Sequence, residues 1–194
     1  MLNKSINIYV MRKVFAILVV LFLAADAMYA KHREKGEIRA VEFEIGGGFV
    51  FGNYMQDFVN DGGLSLFIET RYNIPELPFD IGLQASVSGY GGNNNGYDVT
   101  NRGSLITFVD YNFRYFKKID FFAGLGVGMG MIDYEYMFGD RKDVSHNRTF
   151  VVNPRVGIEL FHHLRITAEY KWMDLYYSYF GINIGVPIGG GVRK

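Results

Sequence analysis

The residues best suited to catalysis in this sequence are its four histidines, at positions 32, 146, 162 and 163. His146 directly follows Ser145, and Asp143 lies two positions earlier, so this segment holds the three residue types of a serine hydrolase. A nucleophile and its base need side chains that face each other, which adjacent residues do not easily provide. We therefore expect no catalytic residue. A lipid-modifying enzyme that uses Ser145 and His146 is the alternative.

The glycines and the absence of cysteine indicate which cofactor and metal sites the chain can form. Gly124, Gly126, Gly128 and Gly130 alternate strictly, with no Gly-Lys-Ser/Thr and no helical pattern after them, so a phosphate-binding loop is not indicated. The chain has no cysteine, which removes disulfides and thiolate zinc sites. We expect no cofactor and no bound metal. The alternating glycines should instead leave room for long side chains such as Arg114, Phe108 or Phe122.

Acidic and basic residues form a second candidate group, because they recur at alternate positions of apolar segments. A hairpin that pairs Leu160 with Leu164 places Arg155 opposite Glu169 and Glu159 opposite Arg165. Charges buried in a narrow interior must be paired, since an unpaired one costs several kcal/mol. The sequence thus predicts an internal ion-pair network of Glu42, Glu44, Glu69, Arg71, Asp80, Asp110, Arg114, Arg155, Glu159, Arg165, Glu169 and Lys171.

Two other hairpins allow similar pairing. Tyr72 opposite Phe79 would set Arg71 opposite Asp80, and Phe79 opposite Tyr115 would set Arg114 beside Asp80. We expect the network to be weighted toward the end of the molecule at which these short connections lie.

The elements that position these residues are β-strands, because apolar residues alternate with small or polar ones from residue 41 to residue 188. Eight strands are predicted, over residues 41–51, 64–72, 79–87, 105–115, 121–131, 150–160, 164–172 and 180–188. Bilayer-spanning strands need about 9 to 11 residues, whereas strands of soluble proteins usually have about 5 to 6.

The predicted connections alternate in length. Short ones cover residues 73–78, 116–120 and 161–163, and longer polar ones cover residues 53–63, 91–103 and 135–148, with a shorter fourth at 174–178. This alternation is typical of outer-membrane barrels, which have short periplasmic turns and long outer loops. The prediction is an all-β, eight-stranded antiparallel up-and-down transmembrane β-barrel over residues 38–194.

Aromatic residues cluster at both ends of the predicted strands, as expected where rings meet lipid headgroups. One group is Tyr72, Phe79, Tyr115, Phe116, Phe121 and Phe161, and the other is Phe49, Phe51, Tyr134, Tyr136, Phe150, Trp172 and Tyr176. A soluble lipocalin-like ligand-binding barrel is the alternative and would turn its apolar face inward.

The first thirty residues predict export. Arg12 and Lys13 precede an apolar run of about a dozen residues, and small residues follow, as in a cleaved signal peptide. Cleavage is expected after Ala27 or Ala30. Twenty basic and twenty acidic residues leave no positive surplus for nucleic acid.

The signal segment, the alternating strands, the Glu/Arg set and an aromatic-rich last strand over residues 176–188 together resemble the small outer-membrane β-barrel family, the OmpA/OmpX-like domains. The resemblance implies a Gram-negative outer-membrane location and a plugged bore. We expect a monomer with a structural or surface-interaction role, in adhesion or envelope integrity, through its outer loops.

The expected partners are the lipid bilayer, lipopolysaccharide and an extracellular partner at the outer loops. Arg141, Lys142 and Arg148 are candidate contacts for lipopolysaccharide phosphate. A lipid A-modifying enzyme stays the main alternative. A small-solute channel is disfavoured because side chains should fill so narrow a lumen.

Overall fold

Eight antiparallel strands close on themselves in chain order, β2-β3-β4-β5-β6-β7-β8-β9, as the alternating sequence predicts. The strands are β2 Val41–Gly52, β3 Gly62–Asn73, β4 Phe79–Tyr90, β5 Tyr97–Phe113, β6 Ile119–Phe138, β7 Arg141–Leu160, β8 Leu164–Lys171 and β9 Tyr179–Ile188. Pairing of β2 with β9, from Phe43 opposite Ile188 to Gly52 opposite Tyr179, closes the barrel. The predicted fold class is confirmed.

This computed structural model describes residues 37–38, 40–52, 62–74, 77–90, 97–113, 118–138, 141–173, 178–189 and 192–193. The predicted signal peptide lies outside the described residues. Two further strands, β1 Glu37–Ile38 and β10 Val192–Arg193, pair with each other next to the barrel termini in sequence. Within the described ranges, no helix has the length and apolar character that crossing a bilayer would need.

The barrel has two unlike ends. At the turn end, short connections at residues 74–78 and 161–163 join the strands. At the loop end, the described residues stop at Gly52, Tyr90, Phe138 and Met173 and resume at Gly62, Tyr97, Arg141 and Ser178. The expected loop at 135–148 is wrong in its bounds, since β6 and β7 reach 20 residues each and pair as far as Phe138 opposite Arg141. A polar sequence does not by itself end a paired strand, because the backbone hydrogen bonds of a hairpin also form in water.

The hairpin registers test the sequence interpretation. Leu160 lies opposite Leu164, and Arg155 lies opposite Glu169, as predicted. The register of β3 with β4 differs by two residues, because Tyr72 pairs with Ile81 and Arg71 therefore faces Gly82 rather than Asp80. The turn at residues 74–78 is tighter than expected, since Ile74 N–H already donates to Phe79 O at 3.0 Å.

The predicted register of β4 with β5 is also wrong. Phe79 pairs with Tyr111 instead of Tyr115, and Asp80 faces Asp110. Barrel strands are staggered by the shear that closure requires, so neighbouring strands do not end level. Both errors are even numbers of residues, and each side chain therefore keeps its predicted face.

The turn between β7 and β8 has an unusual backbone. Phe161 and His162 have φ of 55° and 60°, the left-handed pair that a tight hairpin turn requires and that Asn-Gly normally supplies. His163 N–H closes this turn by donating to Leu160 O at 3.0 Å. The tightness of the turn sets the β7–β8 register that brings the predicted charged pairs into line.

The two faces of the wall differ sharply. Outward positions carry large exposed apolar side chains, such as Leu64 at 65% and Phe150 at 62% exposure. Inward positions carry buried charged and polar side chains, including Glu44, Arg71, Asp110, Arg155 and Arg165. This distribution is the reverse of that in a soluble barrel, which buries its apolar face.

Candidate functional site

The barrel interior holds the candidate site, and Arg155 on β7 lies at its centre. The Arg155 guanidinium donates to both carboxylate oxygens of Glu69 on β3, Nη1 to Oε2 at 2.8 Å and Nη2 to Oε1 at 2.9 Å. Nη2 also donates to Asp110 Oδ2 at 2.9 Å. Two parallel N–H···O bonds are the strongest geometry that an arginine and a carboxylate can adopt.

A second arginine, Arg71 on β3, contacts acidic side chains of three strands. Its Nη2 lies 2.9 Å from Glu44 Oε2 and 3.3 Å from Glu42 Oε2. Its Nη1 lies 3.7 Å from Glu159 Oε2, and its Nε lies 3.5 Å from Glu69 Oε1. Glu69 therefore bridges Arg71 and Arg155 and makes the two arginine clusters one network.

A third arginine, Arg165 on β8, belongs to the same network. Its Nη2 donates to Asp110 Oδ2 at 2.5 Å, and its Nη1 lies 3.5 Å from Glu159 Oε2. The guanidinium carbon also sits 3.5 Å from the ring centre of Phe122. Arg155 is stacked similarly on Phe108, at 3.9 Å. The aromatic faces supply cation–π contacts where water is excluded.

Lys171 on β8 forms a separate cluster nearer the loop end. Its Nζ donates to Ser86 Oγ at 2.5 Å and to Ser104 Oγ at 3.2 Å, and it lies 3.2 Å from Glu169 Oε1. Glu169 accepts further hydrogen bonds from Asn153 and Asn183, at 3.1 and 2.9 Å. Three donors thus surround this one buried carboxylate.

One predicted member, Asp80, is placed differently from the expectation, and another cannot be compared with it. Asp80 does not face Arg71; it accepts a hydrogen bond from Asn112 Nδ2 at 2.5 Å. Arg114 lies outside the described residues. The other predicted members all project inward and make the contacts given above. The amide and hydroxyl donors Gln84, Ser86, Ser104, Asn112, Asn153 and Asn183 were missed, although their inward parity on each strand was a usable signal.

Inward glycines make room for the two rings that carry the arginines. A Cβ built on Gly82 would overlap the Phe108 ring and lie 2.6 Å from Thr70 O, and one built on Gly157 would overlap the Phe122 ring. A Cβ on Gly124 would overlap Asp110 Oδ1. The rings of Phe108 and Phe122 are buried, but the glycines that make room for them are Gly82 and Gly157 and not the alternating glycines of β6, whose built Cβ atoms would meet Asp110, Ile106, Leu105 and Val151 instead.

A layer of mainly apolar buried side chains lies toward the loop end, with the buried Arg102 and Lys171 against its Tyr179 ring, and sequence reasoning missed it. It consists of the buried side chains Val50, Ile106, Ile132, Val151, Met173 and Tyr179. At the turn end, Glu159 keeps 12% and His162 keeps 27% of its side chain exposed.

A polar pair lies on the outer wall. His146 Nδ1 lies 2.6 Å from Asp133 Oδ1, and the two residues are direct cross-strand partners on β7 and β6. Arg148, two residues from His146, is also exposed. The side chains of Ser145, Arg141 and Lys142 lie outside what the structure describes. In the described ranges, no group of three histidine or acidic residues could hold a metal ion.

Comparison with known proteins gives a fold and no closer relationship. No protein-family model matches the sequence, and no curated protein does either. Neisserial surface protein A is similar in structure, with a TM-score of 0.59 and 10% identity over 79% of this chain and 99% of that one. Ail, the attachment invasion locus protein of Yersinia pestis, has a TM-score of 0.50 and 14% identity over 79% of this chain and 100% of that one. Both are small eight-stranded outer-membrane β-barrels.

Proposed function

We propose that this chain is an integral outer-membrane β-barrel that is not an enzyme and that serves a structural or surface-interaction role through its loop end. The exported form would span the membrane as a monomer, with the turn end in the periplasm and the loop end at the cell surface. Lipid, lipopolysaccharide and an extracellular partner at the loops are the proposed contacts.

The observation that carries the proposal is the inverted distribution of side chains. Phe49, Leu66, Met129 and Trp172 expose 63%, 66%, 62% and 57% of their surface on the outer wall. Arg71 and Arg165 lie inside at 1% and 0% exposure. Apolar surface of this extent is costly in water and is stable in hydrocarbon. A closed barrel also leaves no unpaired strand edge to the lipid.

The interior contacts support a plugged bore. Arg155 reaches Glu69 across the barrel, and Lys171 reaches Ser86, so side chains from opposite strands meet inside. The apolar layer contributes Ile106, Ile132 and Val151 to the same interior, each fully buried. An eight-stranded barrel is only wide enough for side chains to fill it. The proposed role therefore belongs to the outside of the barrel and its loops.

The location is supported by the similarity of fold to surface proteins. Neisserial surface protein A is named for the surface, and Ail is named for attachment and invasion. With identities of 10% and 14%, these likenesses show a fold alone. Adhesion or envelope integrity is the role we propose by analogy with them.

The test is fractionation of a Gram-negative cell that expresses the full chain, followed by gel electrophoresis of boiled and unboiled samples in mild detergent. We expect the protein in the outer-membrane fraction, with a mobility shift on boiling. Recovery as a soluble periplasmic protein without a shift would contradict the proposal and support the lipocalin-like alternative.

A further inference from the structure

His162 occupies a backbone position at which glycine is the usual residue. Phe161 and His162 are the two central residues of the turn between β7 and β8, with φ of 55° and 60°. Hairpin turns of this geometry prefer Asn-Gly, because a side chain at positive φ costs backbone energy. Residues held in such a conformation are concentrated at ligand clamps and switch regions. The side chain of His162 is therefore expected to make contacts that offset the cost.

The His162 ring reaches two carboxylates on neighbouring strands. Its Nδ1 lies 3.8 Å from Asp120 Oδ2 on β6 and 3.7 Å from Glu159 Oε1 on β7. Asp120 and Glu159 are direct cross-strand partners, and like charges in this relationship destabilise a sheet. A protonated imidazole attracts both carboxylates and offsets their repulsion. We call Asp120, Glu159 and His162 the turn-end cluster.

The turn-end cluster is shielded in part from water. The side chains of Asp120, Glu159 and His162 are 16%, 12% and 27% exposed. Partial burial reduces the screening of an ion pair by salt. The remaining exposure lets protons from the solvent reach the imidazole. The charge of the ring can therefore follow the pH of the surrounding water.

The interior network meets the turn-end cluster at Glu159. Arg71 on β3 and Arg165 on β8 contact its Oε2 atom, at 3.7 and 3.5 Å. His162 contacts the other oxygen, Oε1. The two arginines thus hold Glu159 from the interior, whereas His162 connects it to Asp120 across the end of the β6–β7 hairpin.

The turn is also joined to the beginning of β6 through the backbone. Phe161 N–H donates to Lys118 O at 2.8 Å, one residue before β6 begins. Lys118 and His163 are titratable neighbours of the turn as well, and both are exposed. Water screens their charges more strongly than those of the turn-end cluster. A change in the charge of His162 should therefore act on the contact between the turn and the beginning of β6.

We propose that His162 is a pH-dependent link, which as a cation joins Asp120 to Glu159 and secures the β7–β8 turn against the beginning of β6. Histidine is the side chain whose charge ordinarily changes between about pH 5 and 8. Because the two carboxylates favour the charged ring in the folded barrel, the stabilisation is present at the acidic end of this range and is lost as the pH rises. The link is separate from the role proposed for the loop end.

The test is urea unfolding of the purified barrel in lipid vesicles at about pH 5.5 and about pH 8, the two sides of the histidine range. The link should contribute about a threefold factor to the ratio of the unfolding constants at the two pH values, with less unfolding at the acidic one. His162→Gln should remove this factor, and Asp120→Asn should reduce it. His163→Gln removes an adjacent, exposed imidazole and should leave the ratio unchanged.

A second measurement uses the unmodified protein. Hydrogen exchange of the Phe161 amide, corrected for the intrinsic pH dependence of exchange, should show greater protection at about pH 5.5 than at about pH 8. The same ratio of unfolding constants with and without His162→Gln, an equal loss in His163→Gln, or Phe161 protection that does not change with pH would overturn the link. A gel shift on boiling, measured on each variant, shows that the barrel compared is closed.

Discussion

Arg155 on β7 and Glu69 on β3 lie 86 residues apart in the chain and join through two hydrogen bonds of 2.8 and 2.9 Å. The two strands are four steps apart in a closed ring of eight, so the pair spans the full width of the bore. Lys171 on β8 and Ser86 on β4 stand in the same relationship, at 2.5 Å. These cross-bore contacts link opposite walls that share no backbone hydrogen bond.

Removal of one partner of the cross-bore pair should be strongly destabilising. Arg155→Met would remove both guanidinium hydrogen bonds of the buried Glu69 carboxylate and leave Asp110 with Arg165 as its remaining arginine donor, and breaking a buried pair costs about 3 to 5 kcal/mol. We expect a loss of this size in the free energy of unfolding, measured by urea titration of the barrel in lipid vesicles.

The matched control is Arg148→Met, because Arg148 is exposed on the outer wall and such changes usually stay within about 0.5 kcal/mol. The double variant with Glu69→Met should lose less stability than the sum of the two single variants. Additive effects of the single variants would show that the pair is not coupled.

Two glycines of the wall should respond oppositely to alanine. A Cβ at Gly82 would overlap the Phe108 ring, and overpacking of this kind costs about 1 to 3 kcal/mol. A Cβ at Gly103 would meet only Ser86 O, at 3.9 Å, so Gly103→Ala should be neutral or stabilise by about 0.4 to 1 kcal/mol through the unfolded chain. Urea unfolding of both variants checks the contrast, and equal effects would place Phe108 elsewhere.

The bore should not conduct ions. Buried side chains of the charged network and of the apolar layer, such as Ile106, Ile132 and Val151, meet inside a barrel that is only wide enough for side chains to fill it. In planar bilayers, the purified protein should show no resolvable conductance steps at neutral pH. Regular steps that grow in size in Ile132→Gly would reveal a water-filled path and contradict the plug.

Trp172 reports the position of the barrel in the bilayer. It is the single tryptophan of the chain, it exposes 57% of its surface on the outer wall, and it pairs with Val152 of β7. Aromatic side chains concentrate at membrane interfaces. Its fluorescence should be quenched more by lipids brominated near the headgroup than by lipids brominated near the bilayer centre. The opposite order would place this residue deep in the hydrocarbon.

Local pattern was sufficient for most of the fold. Period two and the loop alternation predict eight strands and the face of each side chain, and the short turn at residues 161–163 sets the pairing of Arg155 with Glu169. The registers around Asp80 were wrong because stagger is a property of the whole closed ring. One hairpin does not contain that information.

The residues of the candidate site could be predicted more readily than the contacts between them. Inward parity identifies Glu69 and Arg155 as interior residues, but their contact joins strands that are neighbours neither in sequence nor in the sheet. The apolar layer was missed because Val50, Ile106 and Val151 occupy inward positions that were expected to be polar. The Asp133–His146 pair depends on extension of β6 and β7 into a segment that was expected to be loop.

The most direct test of the central claim uses four consecutive residues of β4. Ala85 and Val87 face outward, whereas Ser86 and Ser88 face the bore at 7% and 3% exposure. The chain has no cysteine, so single cysteine variants at these positions carry one thiol each. In lipid vesicles, a fluorophore on A85C or V87C should be quenched by spin-labelled lipid, and the thiols of S86C and S88C should react only after unfolding. Lipid quenching at positions 86 and 88, with 85 and 87 shielded, would contradict the assignment of the apolar face to the membrane.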